Sequence, residues 1–357
     1  MIRARGFSLV ELMVAITLAL IVTTAVISVF VGSRSAFNAT SGTAALTDGG
    51  RFALNFISNS VRGAGYMACT TAPLLQGTLN AGATPLTTQF TEALGGFEAL
   101  NTAPGAAYNV APSPVAGDGN NGDWIGGLDA ALTGQPVKNN DVLVVRSTVG
   151  NATPAYVSTI VNGAATFSVN AQASLLPGQL AVISDCSKGV IFQITGIAGG
   201  ANPVISHNGG GGPPGNATSA FVPSFAAGAL VTPVDTMAYY IGVGADGDGA
   251  LFVYSSNATG TFTSTELVPD IEAMQVLYGL DTNLSQTVAT YVTADQVPDF
   301  NTVMSVKIAL LAASAPGAGR AWTPVTYNLL GTIVTPPADS RSRQVFEETI
   351  AVRNALH

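Results

Sequence analysis

Between Glu11 and Arg34 the chain carries no charge, and every position in that interval is apolar, glycine, serine or threonine. As a helix, residues 12–33 would span about 33 Å, matching a hydrocarbon core of roughly 30 Å. From Arg34 onward the pattern becomes amphipathic. Phe30, Phe37 and Ala44 recur every seven residues and Phe52 and Phe56 every four, with Ile57 and Val61 repeating that step alongside. Gly42 and the pair Gly49-Gly50 read as weak points where a long helix could bend or loosen. Arg62 suits a C-terminal helix dipole, so the helix is expected to end at Gly63 or Gly65.

Past residue 65 the period changes. Short apolar runs broken by Gly, Pro, Asn and Ser predict strands over 142–147, 180–184, 190–194, 236–242, 250–254, 274–280, 303–311 and 346–352. Asp246-Gly247-Asp248-Gly249 lies between Tyr239-Tyr240-Ile241 and Leu251-Phe252-Val253 and reads as a hairpin turn. Residues 101–140 and 199–223 read as long surface loops. No unit repeats at the spacing of a solenoid. Tyr239, Tyr240, Tyr254 and Tyr278 fall inside strands and read as core or cross-strand pairs rather than a binding patch. The expected fold is α+β, with a long N-terminal helix whose second half packs on an antiparallel, β-rich head with long loops. The segments are a leader at 1–6, a membrane helix at 7–33, an amphipathic continuation at 34–65 and the head at 66–357.

Composition narrows the function. Charged residues make up 10% of the chain, against about 25% in an average soluble protein, while 47% hydrophobic residues can bury a core. The net charge is −8, and an acidic surface offers no field to recruit phosphate backbones, so direct nucleic-acid contact is not expected. Catalysis finds no motif: the two histidines, His207 and His357, lie in neither H-E-x-x-H nor G-x-S-x-G, and His207 reads as loop polarity. No enzyme activity or cofactor is expected. Asp246 and Asp248, and the loop Asp118, Asn120 and Asp123, are weak calcium candidates, because neither completes a twelve-residue calcium loop. Outside the cytoplasm Cys69 and Cys186 would form a disulfide; the alternative is two unpaired buried thiols.

The N-terminus is the most informative segment. Arg3 and Arg5 would keep it cytoplasmic and place the head in the periplasm. A secretory signal would end its 7–15-residue apolar run in a small-residue cleavage site, yet here the run is longer and the better cut lies ahead of it, after Gly6. That cut would remove two arginines and leave the mature chain at about −10. Glu11 decides between an anchor and something more, because a carboxylate at membrane depth costs on the order of 2.5–3.5 kcal/mol. Cleavage would free the Phe7 amine one helical turn before Glu11, in its own chain or presented to a neighbour's. Pairing the two would set the axial stagger of packed helices. The alternative is a Glu resting among lipid headgroups.

Gly6-Phe7-Ser8-Leu9-Val10-Glu11 resembles the class III prepilin signal. The resemblance implies cleavage between Gly6 and Phe7 by a prepilin peptidase, N-methylation of Phe7, and extraction from the inner membrane into a helical filament. Later stretches resemble the PilW family of type IV pilus minor pilins. They are Arg51-Phe52-Ala53-Leu54-Asn55-Phe56, Val61-Arg62-Gly63-Ala64-Gly65-Tyr66 with Cys69, Ile183-Ser184-Asp185-Cys186, the segment 271–279, and the terminal segment 346–354. That family implies a pilin-like fold and a low-abundance subunit that joins other minor pilins in a priming complex at the pilus tip. A PilY-family adhesin and the major pilin would be its neighbours. Two alternatives stand beside it: a J-type pseudopilin of type II secretion, and a tip-located adhesive binding module.

Overall fold

The computed structural model describes residues 8–80, 85–210, 214–257, 260–283, 285–319 and 325–355. One helix, α1 (Leu9–Gly63), runs unbroken for 55 residues, about 83 Å at the usual rise. Every side chain from Ser8 to Asn38 is exposed, so this half rests on none of the other described residues. Four of its hydroxyls are satisfied within the helix. Thr17, Thr23, Thr24 and Ser28 each donate to a carbonyl one turn back at 2.7–2.9 Å, which removes the cost of carrying them into hydrocarbon.

The second half of α1 buries Gly42, Leu46, Gly50, Ala53, Leu54, Ile57, Ser58 and Val61, a stripe stepping by three and four. The aromatic series expected to guide the packing lies elsewhere. Phe30, Phe37 and Phe52 are well exposed and Phe56 partly so, with the Phe52 and Phe56 rings meeting edge to face at 4.6 Å on the outer surface. Gly42 and Gly50 do not loosen the helix either. A Cβ at Gly42 would overlap Ala318, and one at Gly50 would overlap the Phe346 ring, so these glycines let the backbone lie against the head. The helix stops at Gly63, where Arg62 pairs with Glu348 at 2.8 Å and Asn354 donates to the Ala64 carbonyl at 3.0 Å.

The helix lies against a four-stranded antiparallel sheet ordered Thr290–Val292, Ile271–Leu280, Val303–Ala313, Arg343–Ala351. Leu46, Ile57 and Val61 share the main core with Met274, Val276, Ile308 and Ile350, and also with Leu143 and Tyr239 of a second, larger sheet. The backbone of that sheet is the 14-residue strand Leu230–Val243. Its C-terminal part pairs with Val142–Thr148 and Gly249–Ser256, and its first residues pair with Leu180–Ser184 and Ala155–Ile160. Pro233, which has no N–H to donate, stands where the partners change. The same strand therefore serves two cores, because Ala155–Ile160, Thr166–Val169, Leu180–Ser184 and Gly189–Gln193 enclose a separate distal core around Phe167, Phe192 and Phe221.

Both long segments read as surface loops are built into the head. The first supplies the strand Ala107–Asn109, which pairs with Thr332–Thr335 in a small sheet. That sheet covers the outer face of the four-stranded one, Leu329 and Val334 packing on Ala309 and Leu311. The segment 101–140 also holds Trp124, which is completely buried, its Nε1 donating to the Asn140 carbonyl at 2.9 Å. The second segment supplies the strand Val204–Ser206, and the described part of it closes the distal core. The turn after Tyr240 is a hairpin as expected: the Gly244 N–H donates to the Asp248 carbonyl at 2.7 Å, and Gly247 takes φ +89°.

Candidate functional site

Gly6 and Phe7 lie outside the described residues, and the site begins at Ser8. Ser8 is extended (φ −79°, ψ 150°) and caps α1. Its Oγ accepts the Glu11 N–H at 3.2 Å, while its own N–H donates to Glu11 Oε2 at 3.0 Å. This reciprocal capping box satisfies two of the four N–H groups that a helix start leaves unpaired. The pattern Ser-x-x-Glu announces it in the sequence, and reading Glu11 only as the partner of a freed amine passes over that signal. The two roles are compatible. A carboxylate has four lone-pair directions and the cap uses one, so Glu11 is held in a fixed orientation at the positive end of the helix dipole.

At the other end of α1 a disulfide joins Cys69 to Cys186, with Cα atoms 4.5 Å apart and a sequence separation of 117. Cys69 lies in the tight turn between Tyr66–Met67 and Thr70–Thr71, Cys186 in the turn between Leu180–Ser184 and Gly189–Gln193. Ala68 and Cys186 take left-handed φ values of 63° and 69°, and the Cys186 N–H donates to Ser184 Oγ at 3.2 Å. The link ties the helix terminus to the distal lobe.

Asp246 and Asp248 gain a third acid, Asp270, their carboxylates lying within 4.8 Å of one another. Arg341, on a segment far away in sequence, stands among them and pairs with Asp248 and with Asp270, the latter at 3.0 Å. A guanidinium thus supplies the cation this cluster needs. Burial pushes the Asp270 carboxyl up, and Arg341 draws it back. Arg343 lies beside them, almost fully buried, held by Glu272 at 2.6 Å and Asp339 at 2.7 Å. Burial opposes its charge, but these partners leave it above its ordinary value. In the other calcium candidate, Asp123 pairs with Lys138 at 3.1 Å and accepts the Asp118 N–H at 2.9 Å.

Two buried titratable features escaped the sequence. Glu98 and Asp141, which flank the segment 101–140, lie buried together, Asp141 accepting the Ala99 and Val276 N–H groups at 3.1 and 2.8 Å. Burial raises both, and the Asp141 charge raises Glu98 further, so Glu98 stays protonated. His207 is not loop polarity: it is 1% exposed, stacked on Phe221 at 4.1 Å and flanked by Phe167 and Phe192 at 5.6 Å. Among the described residues its Nε2 has no hydrogen-bond partner, and burial lowers its pKa to about 4. His357 lies outside the described residues.

Two family models match parts of the chain. Residues 1–27 match the prokaryotic N-terminal methylation motif. Residues 238–354 match PilW, the type IV pilus-assembly protein W; they run from the middle of the long strand through the sheet that supports α1. No curated protein matches the chain. Among solved structures, a type IV-like pilin from Thermus thermophilus is 17% identical, covering 51% of this chain and 86% of its own, at a TM-score of 0.23. With the methylation motif at the start of the long apolar helix and the PilW match in the sheet beneath it, the chain is similar to type IV pilins at its N-terminus and to the PilW family over its C-terminal third.

Proposed function

We propose that this chain is a minor pilin that helps to start type IV pilus assembly, in a priming complex with other minor pilins at the filament tip. The observation that carries the reading is the division of α1. One continuous helix has a bare, apolar first half capped by Ser8 and Glu11, and a second half buried in the head. A head alone has no use for a helix bare over half its length, and a simple anchor has no use for an acid in it. In this reading a prepilin peptidase cuts between Gly6 and Phe7 and methylates Phe7. The chain waits in the inner membrane with its head in the periplasm until it is drawn into the fibre, where the major pilin and a PilY-family adhesin would be its neighbours. Its role is structural, with no catalysis. The bulk of the two-lobed head supports a tip position over a major subunit, since such a head is hard to tile around a narrow fibre.

The test is deletion of the gene and its replacement with Glu11→Ala. Deletion should remove surface pili. The variant should be cleaved as normal but should fail to co-purify with other minor pilins. Normal piliation with lost adhesion would favour a binding module instead, and normal piliation and co-purification in Glu11→Ala would refute the register role.

A further inference from the structure

One step past their last paired residues, two strands of the larger sheet bring a pair of acids face to face. Leu94–Phe97 pairs antiparallel with Val142–Thr148, Phe97 standing opposite Val142, so the same register sets Glu98 opposite Asp141. Directly opposed side chains lie about 5 Å apart at Cβ, and two like charges there repel. Both residues are buried, at 1% and 2% exposure, where two neighbouring carboxylates do not both stay ionised. Their surroundings decide which one keeps the charge. The two Asp141 oxygens accept separate N–H groups, Ala99 at 3.1 Å and Val276 at 2.8 Å. Glu98 Oε1 has one long contact, from the Thr102 hydroxyl at 3.4 Å, and Oε2 has no partner among the described residues. A proton on Oε2 turns that orphan into the donor of a carboxyl–carboxylate hydrogen bond to Asp141. The other titratable groups that face the pair are an acid and two phenols. Asp295, in the turn Ala294–Gln296, adds negative charge beside Glu98. Tyr108 and Tyr278 are held protonated by burial and by the Asp141 charge.

The pair sits at a junction between sheets. Asp141 donates its own N–H to the Met274 carbonyl at 3.2 Å, and Asn140 Oδ1 accepts the Met274 N–H at 2.8 Å. With the Val276 contact, residues 140–141 stitch the larger sheet to Ile271–Leu280 of the four-stranded one. We propose that Glu98 and Asp141 share one proton that latches the two sheets together at this junction, and that alkali, by removing it, opens the latch. With the proton in place the pair carries one charge, held on Asp141 by two N–H groups. Without it two buried charges face each other, and parting the strand ends relieves them. In an open chain both carboxyls titrate near 4, whereas burial raises both in the fold, Glu98 to about 9. The closed state therefore holds a proton that the open state releases. Its stabilisation is fully present below about pH 4 and is lost as the pH rises through the folded value, the opening constant growing about tenfold per pH unit. The proposal goes beyond the pilus reading and does not rest on it.

Hydrogen exchange of the full chain in detergent, read by mass spectrometry at about pH 7 and pH 8, tests this against Glu98→Gln. The glutamine amide can still donate to Asp141 but has no proton to lose. Dividing the rates of the two proteins cancels the intrinsic effect of base on exchange. At Ala99 and Val276 the wild-type rate should rise about tenfold more than the variant's over that pH unit. Leu180–Ser184 and Gly189–Gln193 of the distal core should keep the same ratio at both pH values. Should the variant fail to fold, wild type alone decides. With the intrinsic increase divided out, about tenfold should remain at Ala99 and Val276 and none in the distal strands. An equal pH response in the two proteins, or no residual rise in wild type, would overturn the proposal. So would the same rise in the distal strands, since the proton would then govern unfolding of the whole head and not a junction.

Discussion

At neutral pH the His207 imidazole sits uncharged among Phe221, Phe167 and Phe192, with no described carboxylate paired to it. Its pKa, lowered by burial, is about 4 in the fold, against about 6.5 in the unfolded chain. The unfolded state therefore binds the proton first as acid is added. Stability is fully present above pH 6.5, declines as the pH falls below it, and levels off once the pH is below about 4. The largest possible loss is about 3 kcal/mol, and at pH 4.5 about 2 kcal/mol would be gone, less if water enters the cage. Other groups titrate in the same window with the opposite sign. Asp235, raised to about 6 by burial, contributes stability below its unfolded pKa that is lost as the pH rises through its folded one. The raw pH curve is thus a sum, and the informative quantity is the difference from His207→Phe, which keeps the aromatic packing but cannot take up the proton. Urea unfolding followed by far-UV circular dichroism, in detergent, should show wild type losing about 2 kcal/mol more than the variant between pH 7 and 4.5. Parallel curves, within about 0.5 kcal/mol, would show that His207 is hydrated or paired, and the core assignment would fall.

Ile57 is fully buried where α1 meets both sheets, so Ile57→Ala should cost about 2–5 kcal/mol in the same unfolding assay; a loss under about 1 kcal/mol would mean the helix is loosely docked. Replacing Cys69 and Cys186 together by Ser opens a 117-residue loop and should cost about 4–5 kcal/mol in the chain-entropy model. Alkylation of both thiols in the native, unreduced protein would refute the bridge itself. Gly6→Val should block processing, and mass spectrometry finding that variant as a mature chain that begins with N-methylated Phe7 would contradict the requirement for Gly6 at the proposed cut.

Where the sequence was legible, a local pattern and the burial it produced agreed. The apolar run before Arg34, the hairpin at Gly247 and the strands around Tyr239 and Met274 all follow from neighbours in sequence. The site was legible in the same way at its N-terminal end, where Ser8 and Glu11 stand three residues apart. What escaped depended on distant segments. Arg341 meets Asp248 across 93 residues, and no spacing rule could place it there. The polar, glycine-rich surroundings of His207 pointed to solvent, but Phe167 and Phe192 arrive from two other strands and Phe221 folds back from the far end of the same segment to enclose it.

The stripe on α1 gives the sharpest case. Aromatic residues are the largest apolar groups on the helix, and periodicity alone favours them as the docking face. Docking, however, minimises the distance between backbones as well as maximising the size of side chains. The sheet side already supplies the bulk, in Phe346, Met274 and Ile308. The helix must therefore supply room, and Gly42 and Gly50 on the same stripe as Leu46, Leu54 and Ile57 do so. A glycine inside a helix costs about 0.5–1 kcal/mol relative to Ala. When it recurs on one face two turns apart, as Gly42 and Gly50 do, that cost is offset by a close approach, and the exposed aromatic face is the one left free to meet something outside the chain.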